Sequence, residues 1–136
     1  MKLNFEVDGN NFLLAGEASG QVKKALRQLG ISADTIRRIA ISMYEAEINM
    51  VIHGGGGEII VEITPDKVTL TLTDQGPGIP DIDLAMQEGY TTASNEVREL
   101  GFGAGMGLPN IKRYSDDLTV TSEMGKGTTV KIVVLL

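Results

Sequence analysis

Two runs of β-branched residues on either side of a turn constrain the fold of this 136-residue chain more than any other feature. The stretch EIIVEITPDKVTLTLTD, residues 58–74, has Pro-Asp at its centre and predicts an antiparallel β-hairpin. A second stretch, LTVTSEMGKGTTVKIVVLL at residues 118–136, predicts another hairpin that turns at Gly-Lys-Gly. Near the N-terminus, LNFEVDG alternates apolar and polar residues and predicts a further strand, with NFLLAG as its candidate hairpin partner.

Three segments have the spacing of helices. The first is EASGQVKKALRQLG, with Val22, Ala25, Leu26 and Leu29 on one face and a glycine as its C-cap. The second is SADTIRRIAISMYEAEINMVIHGG, with Ser32 as its N-cap. The third is LPNIKRYSDD. A short helix is also expected near residues 82–86. The long helix has an apolar stripe that we expect to pack on the sheet: Ile36, Ile39, Met43, Ala46 and Met50. Helices on one side and mainly antiparallel strands on the other predict an α+β two-layer sandwich.

Length and composition indicate one domain, spanning residues 1–136. The chain has no cysteine, so disulfides and thiolate metal sites are excluded and a reducing compartment fits. A net charge of −6 argues against nucleic acid as the main partner, since a phosphate backbone demands a basic surface. No segment approaches the length of an apolar membrane span or signal peptide, so no membrane association is expected and the cytoplasm is the default location.

Polar residues form a second row along the long helix, offset from its apolar stripe. Glu45 and Asn49 are four residues apart and share one face, and His53 follows one turn later. An amide oxygen is a suitable ligand for Mg²⁺, and a carboxylate one turn earlier can orient or deprotonate a nucleophile. Glu47 lies about 200° around the helix from Glu45 and is not the expected base. The plain alternative for the row is a polar, partly exposed helix face.

The segment DQGPGIPDIDLAMQEGYTTASNEVRELGFGAGMGLPNIKR, residues 74–113, has seven glycines in forty positions. It begins with Asp74 at the end of a predicted strand, where a carboxylate can accept from an exocyclic amine and glycines let the backbone approach a flat ring. It ends with alternating glycines before a predicted helix, where free N–H groups and the helix dipole favour phosphate. The alternative for the start of the segment, at Asp74, is a tight turn with an Asp at its end and no ligand. The side chains of Lys112 and Arg113 are expected either to contact phosphates or to lie on the solvated surface.

Taken together and in this order, these segments resemble the Bergerat ATP-binding fold of the histidine kinase, gyrase, heat-shock-90 and mismatch-repair (GHKL) superfamily. EAEINMVIHG resembles its N box, DQGPGI its G1 box, GFGAGMGL its G2 box and GKGTTV its final glycine-threonine element. The resemblance extends from about Glu45 to the end of the chain. It implies a mainly antiparallel or mixed sheet with helices on one face, and a glycine-rich ATP lid in which residues 86–100 lie between the ends that bind the base and the phosphates. It also implies ATP with Mg²⁺ as cofactors of a histidine-kinase-like ATPase domain.

The resemblance also implies a role for each matching residue. Asn49 is expected to bind the Mg²⁺ that bridges the phosphates, and Asp74 to accept from the adenine amine with Thr128 supporting its end of the pocket. Glu45 is the expected catalytic base for the accepting hydroxyl. The other nucleotide-binding residues surround the adenine (Gly76, Gly78 and Ile79), form the phosphate-binding lid hinge (Gly103, Gly105, Gly107 and Leu108), or accompany these motifs (His53 and Met106).

The N box distinguishes subgroups within the superfamily. Histidine kinases usually have a basic residue followed by an aromatic one where this chain has Ile52 and His53, its only histidine. The chain is most similar to the small bacterial anti-sigma-factor kinases and stressosome switch kinases, which implies a protein serine/threonine kinase acting on a STAS-domain (anti-anti-sigma-like) partner in signal transduction. The alternative is an ATP-gated binding module for a sigma factor or a PP2C-type phosphatase, with little turnover. A detached histidine-kinase catalytic domain is a third interpretation.

Overall fold

The computed structural model describes residues 1–9, 16–78, 86 and 107–136. Within these residues the chain forms, in order, β1 (Lys2–Asp8), α1 (Glu17–Gln28), α2 (Ala33–Gly54), β2 (Gly56–Ile63), β3 (Lys67–Asp74), α3 (Gly107–Tyr114), β4 (Asp117–Glu123) and β5 (Gly127–Leu135). The two predicted hairpins are therefore β2–β3 and β4–β5. Residues 11–15 of the predicted partner of β1, and residues 82–85 of the predicted short helix, lie outside the described part of the chain.

The described strands form one antiparallel sheet in the order β1-β2-β3-β5-β4. Alternate residues of the three central strands point to one face and are buried: Ile59, Val61, Ile63, Val68, Leu70, Leu72, Val130, Ile132 and Val134. The side chains between them, such as the threonines of β3, lie on the opposite, more polar face. An antiparallel sheet with one buried face and one solvated face produces this alternation. The structure confirms the predicted α+β two-layer sandwich.

Helix α2 supplies most of the cover for the buried face of the sheet. Its N-cap is Ser32, whose hydroxyl accepts from the Thr35 N–H at 3.3 Å. Every residue of the predicted apolar stripe is buried, and α1 and α3 both pack against α2. In α1, Val22 and Leu26 are buried, but Leu29 is 47% exposed because the helix ends at Gln28 and Leu29 falls beyond its last turn. No helix in the described ranges combines the length and apolar character needed to cross a bilayer.

A buried carboxylate joins α1 to α2. The N-cap of α1 is Gly16, which has no side chain with which to satisfy the first N–H groups of the helix. Glu47 of α2 does so instead: its Oε2 accepts from the N–H of Gly16 at 2.9 Å and of Ala18 at 3.4 Å, and its Oε1 from the N–H of Ser19 at 3.1 Å. Glu47 is only 2% exposed, so these bonds replace its lost hydration. They also place the negative charge at the positive end of the dipole of α1.

We predict that Glu47→Gln lowers the free energy of unfolding by about 2–3 kcal/mol, because the amide removes a charge and turns one acceptor into a donor facing N–H groups. Urea denaturation measures the loss. The matched control is Glu17→Gln, an exposed acid in the first turn of the same helix, which we expect to cost less than about 1 kcal/mol. Equal losses for the two variants would show that Glu47 contributes no more than an ordinary surface charge.

Candidate functional site

The polar row of α2 lies away from the sheet and is half-buried. Glu45, Asn49 and His53 all have intermediate exposure, whereas the apolar stripe of the same helix is fully buried. Asn110 of α3 lies near the side chain of Glu45. Burial raises the pKa of Glu45 above its ordinary value, and the amide of Asn110 partly offsets this rise. The result is a carboxylate that holds a proton more readily than a solvated one, a property suited to proton transfer.

The end of α2 meets the end of β3. After His53 the chain passes through glycines into β2, in which Gly57 pairs with Asp74 of β3. Burial lowers the pKa of His53, and the negative charge of Asp74 acts in the opposite direction. Because burial is the larger cause, the imidazole is neutral at neutral pH. His53 therefore connects the polar row of α2 to Asp74 at the end of β3. It does so as a neutral imidazole and not as a cation.

Backbone groups hold the carboxylate of Asp74. Its Oδ1 accepts from the N–H of Gly76 at 2.9 Å and from the N–H of Thr128, the second residue of β5, at 3.2 Å. Among the residues that the structure describes, none donates to Oδ2, so this oxygen can accept a hydrogen bond from a ligand. Thr128 is 8% exposed, and its hydroxyl lies 3.0 Å from that of Ser122, which also donates to the Gly127 carbonyl at 3.2 Å.

The turn after β3 packs against the β4–β5 hairpin with almost no space between the two backbones. Gly78 has φ +87°, and a Cβ there would lie 2.7 Å from the Glu123 carbonyl oxygen. Gly127 has φ +117°, and a Cβ there would overlap the Asp74 carbonyl. The N–H of Gly125 donates to the Pro77 carbonyl at 2.9 Å. Glycine is required at these two contacts both by the left-handed backbone and by the lack of room for a side chain.

The structure places the predicted site residues it describes at three positions: the end of β3, the polar row of α2 and the start of α3. At the end of β3, Asp74 is hydrogen-bonded to Gly76 and Thr128. The polar row of α2, formed by Glu45, Asn49 and His53, runs towards this end of β3. At the other end of the row, α3 begins at Gly107 and Leu108 is buried. Ile79, Gly103, Gly105 and Met106 lie outside the described residues.

Sequence reasoning missed two residues of this arrangement, Asn110 and Ser122. Asn110 lies near Glu45, which is distant in the chain, and no local pattern marks that proximity. Ser122 lies on the same face of β4 as Leu118 and Val120, and only the β4–β5 register places it opposite Thr128. The available signal for Ser122 was its symmetric position across the predicted hairpin turn.

We predict that Gly127→Ala destabilises the protein more than Gly125→Ala, its matched control in the same turn. Both glycines have positive φ, so each alanine bears about 1 kcal/mol of backbone strain. Only at position 127 does the new methyl group meet the Asp74 backbone, and this overlap adds about 1–3 kcal/mol. Urea denaturation of both variants measures the difference. Equal costs would mean that the contact between the turn and the hairpin is loose.

Sequence comparison identifies relatives over most of the chain. A family profile described as histidine kinase-, DNA gyrase B- and HSP90-like ATPase matches residues 34–136. The chain is 30% identical over 115 residues to serine/threonine-protein kinase RsbT of Bacillus subtilis strain 168, covering 82% of this chain and 80% of that protein. It is 34% identical over 137 residues to anti-sigma F factor of Thermoanaerobacter sp. strain X514, covering 97% of this chain and 90% of that protein.

Solved structures share the fold. A crystal structure of the RsbU and RsbW domains of a Mycobacterium tuberculosis protein superposes with a TM-score of 0.68 at 17% identity over 99% of this chain. This chain spans about a third of that protein, 32% of its length. The mycobacterial sensor histidine kinase MprB superposes with a TM-score of 0.56 at 18% identity, covering 99% of this chain and 97% of that one. From the profile match and the relatives at 30% identity or more, the chain belongs to the histidine kinase-, DNA gyrase B- and HSP90-like ATPase family.

Proposed function

We propose that this chain is an ATP-dependent protein serine/threonine kinase that phosphorylates a hydroxyl group of a STAS-domain partner protein in the cytoplasm. The observation that carries the proposal is the state of Glu45. Its carboxylate is half-buried, has a raised pKa, and makes no salt bridge with a described residue. Glu47 differs, because its two carboxylate oxygens already accept hydrogen bonds from three backbone N–H groups. Glu45 is therefore available as a base.

Asp74 fits the adenine end of a bound ATP. Two backbone N–H groups fix Oδ1, so Oδ2 is the oxygen that remains for the exocyclic amine. Gly76 and Gly78 leave backbone rather than side chains beside this position, which suits a flat ring, and Ile79 would complete the pocket. Thr128 contributes through its N–H, because its hydroxyl is engaged with Ser122.

Asn49 fits the phosphate end. It lies one turn beyond Glu45 on the same face of α2 and is half-buried, with a neutral amide oxygen of the kind that magnesium accepts. Magnesium bound there would offset the negative charge of the phosphates during transfer. The glycine run that leads into the first turn of α3 would supply further N–H groups to the phosphates; its residues are Gly103, Gly105, Met106, Gly107 and Leu108.

Glu45 supplies the proton acceptor for the transfer. As the serine or threonine oxygen of the partner forms its bond to the γ-phosphorus, the bond from that phosphorus to the β,γ-bridging oxygen breaks and ADP leaves. The hydroxyl proton passes to the Glu45 carboxylate, whose raised pKa favours its acceptance. Most of the rate comes from holding the hydroxyl in line with the bond that breaks, so the position of Glu45 matters as much as its basicity.

The partner is proposed from the relatives rather than from the site. A serine/threonine-protein kinase and an anti-sigma factor each align with more than four fifths of this chain. The second name favours a second function, in which the chain binds a sigma factor when ATP is present. A PP2C-type phosphatase is a further candidate partner. The likeness to a sensor histidine kinase is at 18% identity and concerns the fold alone.

We predict that Asp74→Asn weakens ATP binding by about a hundredfold, because Gly76 and Thr128 hold the amide oxygen inward and the new NH₂ group then faces the adenine amine. Guanine has a carbonyl where adenine has this amine, so the preference for ATP over GTP should narrow in the same variant. Calorimetric titration with both nucleotides measures this. Unchanged ATP affinity would remove Asp74 from the adenine site.

We predict that Glu45→Gln abolishes phosphate transfer and leaves ATP affinity within about threefold, because the amide cannot accept the hydroxyl proton. The measurement is transfer of label from γ-labelled Mg·ATP into proteins of a lysate of the source cells. Glu58→Gln, an exposed acid of β2 on the opposite face of the sheet, is the matched control.

The chemistry of the label distinguishes the interpretations. Acid-stable label on a small protein, lost only with Glu45→Gln, supports a serine/threonine kinase. Label that is acid-labile and base-stable would mean a histidine kinase instead. ATP binding without any labelled protein would favour the ATP-gated binding module, and full transfer by Glu45→Gln would remove the assigned base.

A further inference from the structure

The hydroxyl of Ser42 on α2 has no hydrogen-bond partner although the residue is 0% exposed. Of the buried side-chain oxygen and nitrogen atoms in the described part of the chain, its Oγ alone lacks a partner. Ser19 on α1 shows the usual arrangement: it is 5% exposed, and its hydroxyl donates to the Gly16 carbonyl at 2.9 Å. A buried hydroxyl without a partner costs stability, so Ser42 weakens the packing around it.

Helix α3 covers the side of α2 on which Ser42 lies. Arg38, four residues before Ser42 on the same face, pairs with Asp116 just beyond the end of α3, with 3.2 Å between Nη2 and Oδ1. Glu47, which joins α2 to α1, lies about 140° around the helix from Ser42. Ser42 therefore faces α3 rather than α1, at the edge of the stripe that packs on the sheet.

The attachment of α3 is strongest at its end. There Asp116 accepts from the N–H of Leu135 at 2.6 Å, and its own N–H donates to the Val133 carbonyl at 2.9 Å. Along the helix, the side chains of Leu108 and Ile111 are buried in the core. Helix α3 has eight residues and is too short to persist without such packing. Its stability therefore depends on its contact with α2.

This contact also positions the start of α3. Because the end of α3 lies beside Arg38, in the first half of α2, its start lies towards the second half, which carries Asn49. In the proposed ATP site, Asn49 and the glycine run at the start of α3 hold the phosphates from two sides. Separation of α3 from α2 would open this site and would also let water bind the Ser42 hydroxyl.

We propose that Ser42 sets how readily α3 separates from α2, and through this the rate at which nucleotide leaves the site. The unpartnered hydroxyl favours separation by about tenfold relative to a small apolar side chain. The link to nucleotide rests on the proposed ATP site, whereas the weakened contact is a property of the fold. Ser42 touches no ligand in this proposal and acts only through α3.

Amide hydrogen exchange, measured without added nucleotide, tests the contact. The reporters are the N–H groups of residues 111–115, of which that of Ser115 donates to the Ile111 carbonyl at 3.0 Å. In wild type, we expect them to exchange faster than the N–H groups of β3 and at a rate that low urea leaves unchanged, as local opening requires. Their exchange should slow about tenfold in Ser42→Ala. Ser42→Cys, whose thiol is a weak donor, should change it in the same direction.

Release of N-methylanthraniloyl-ADP into excess ATP tests the link to nucleotide. We expect release from Ser42→Ala to be about five- to tenfold slower, because it follows separation of α3. The matched control is Ser19→Ala, which also removes the hydroxyl of a buried serine. That hydroxyl has a partner, so the melting temperature should fall in Ser19→Ala and rise in Ser42→Ala. Release from Ser19→Ala should match wild type.

Three outcomes would overturn the proposal. A lower melting temperature of Ser42→Ala would mean that the hydroxyl already has a partner in solution. Exchange of residues 111–115 at the rate of β3 would mean that α3 separates only when the whole chain unfolds. Slower exchange with unchanged release would disconnect the contact from nucleotide. If wild type binds neither ATP nor ADP, the proposed ATP site fails, and hydrogen exchange alone still decides whether Ser42 weakens the contact.

Discussion

Helix α2 serves two surfaces at once, and most of the structure follows from that constraint. Its apolar stripe is buried on the sheet, and burial of each large side chain stabilises the fold by about 1.5–3 kcal/mol. This burial fixes the rotation of the helix about its axis. Because residues four apart share a face, the same rotation fixes the direction of Glu45 and Asn49. The core and the candidate site are therefore positioned by a single helix, and a change in its packing would affect both.

Two carboxylates of α2 show how position decides what a buried charge does. Glu47 replaces the absent side-chain cap of α1 and has three N–H donors, so its charge is satisfied by the fold. Glu45, two residues earlier, lies near Asn110 of α3, and burial raises its pKa. A carboxylate with few donors in a partly desolvated place costs stability at neutral pH, and such costs are common at sites of chemistry.

The sheet register determines the other end of the site. Thr73 pairs with Thr129, which brings Thr128 beside Asp74 although the two belong to different hairpins. The glycines of the turn and of the hairpin then let the two backbones meet without side chains between them. The sequence predicted both hairpins and named Asp74 and Thr128. It could not supply the strand order β1-β2-β3-β5-β4, because a β3–β5 pairing across the whole glycine-rich segment leaves no local trace.

By itself, the sequence determined the strands, the three described helices, the apolar stripe of α2 and the two-layer arrangement, because periodicity and turn chemistry are local properties of a chain. Four motifs in order also indicated the family. The tertiary structure alone decided what surrounds each carboxylate: the N–H groups at the start of α1 for Glu47, Asn110 of α3 near Glu45, and the N–H groups of the turn after β3 and of β5 for Asp74. The geometry of one helix shows that Glu45 and Glu47 face apart, but only the packing of the other elements decides what stands opposite each of them.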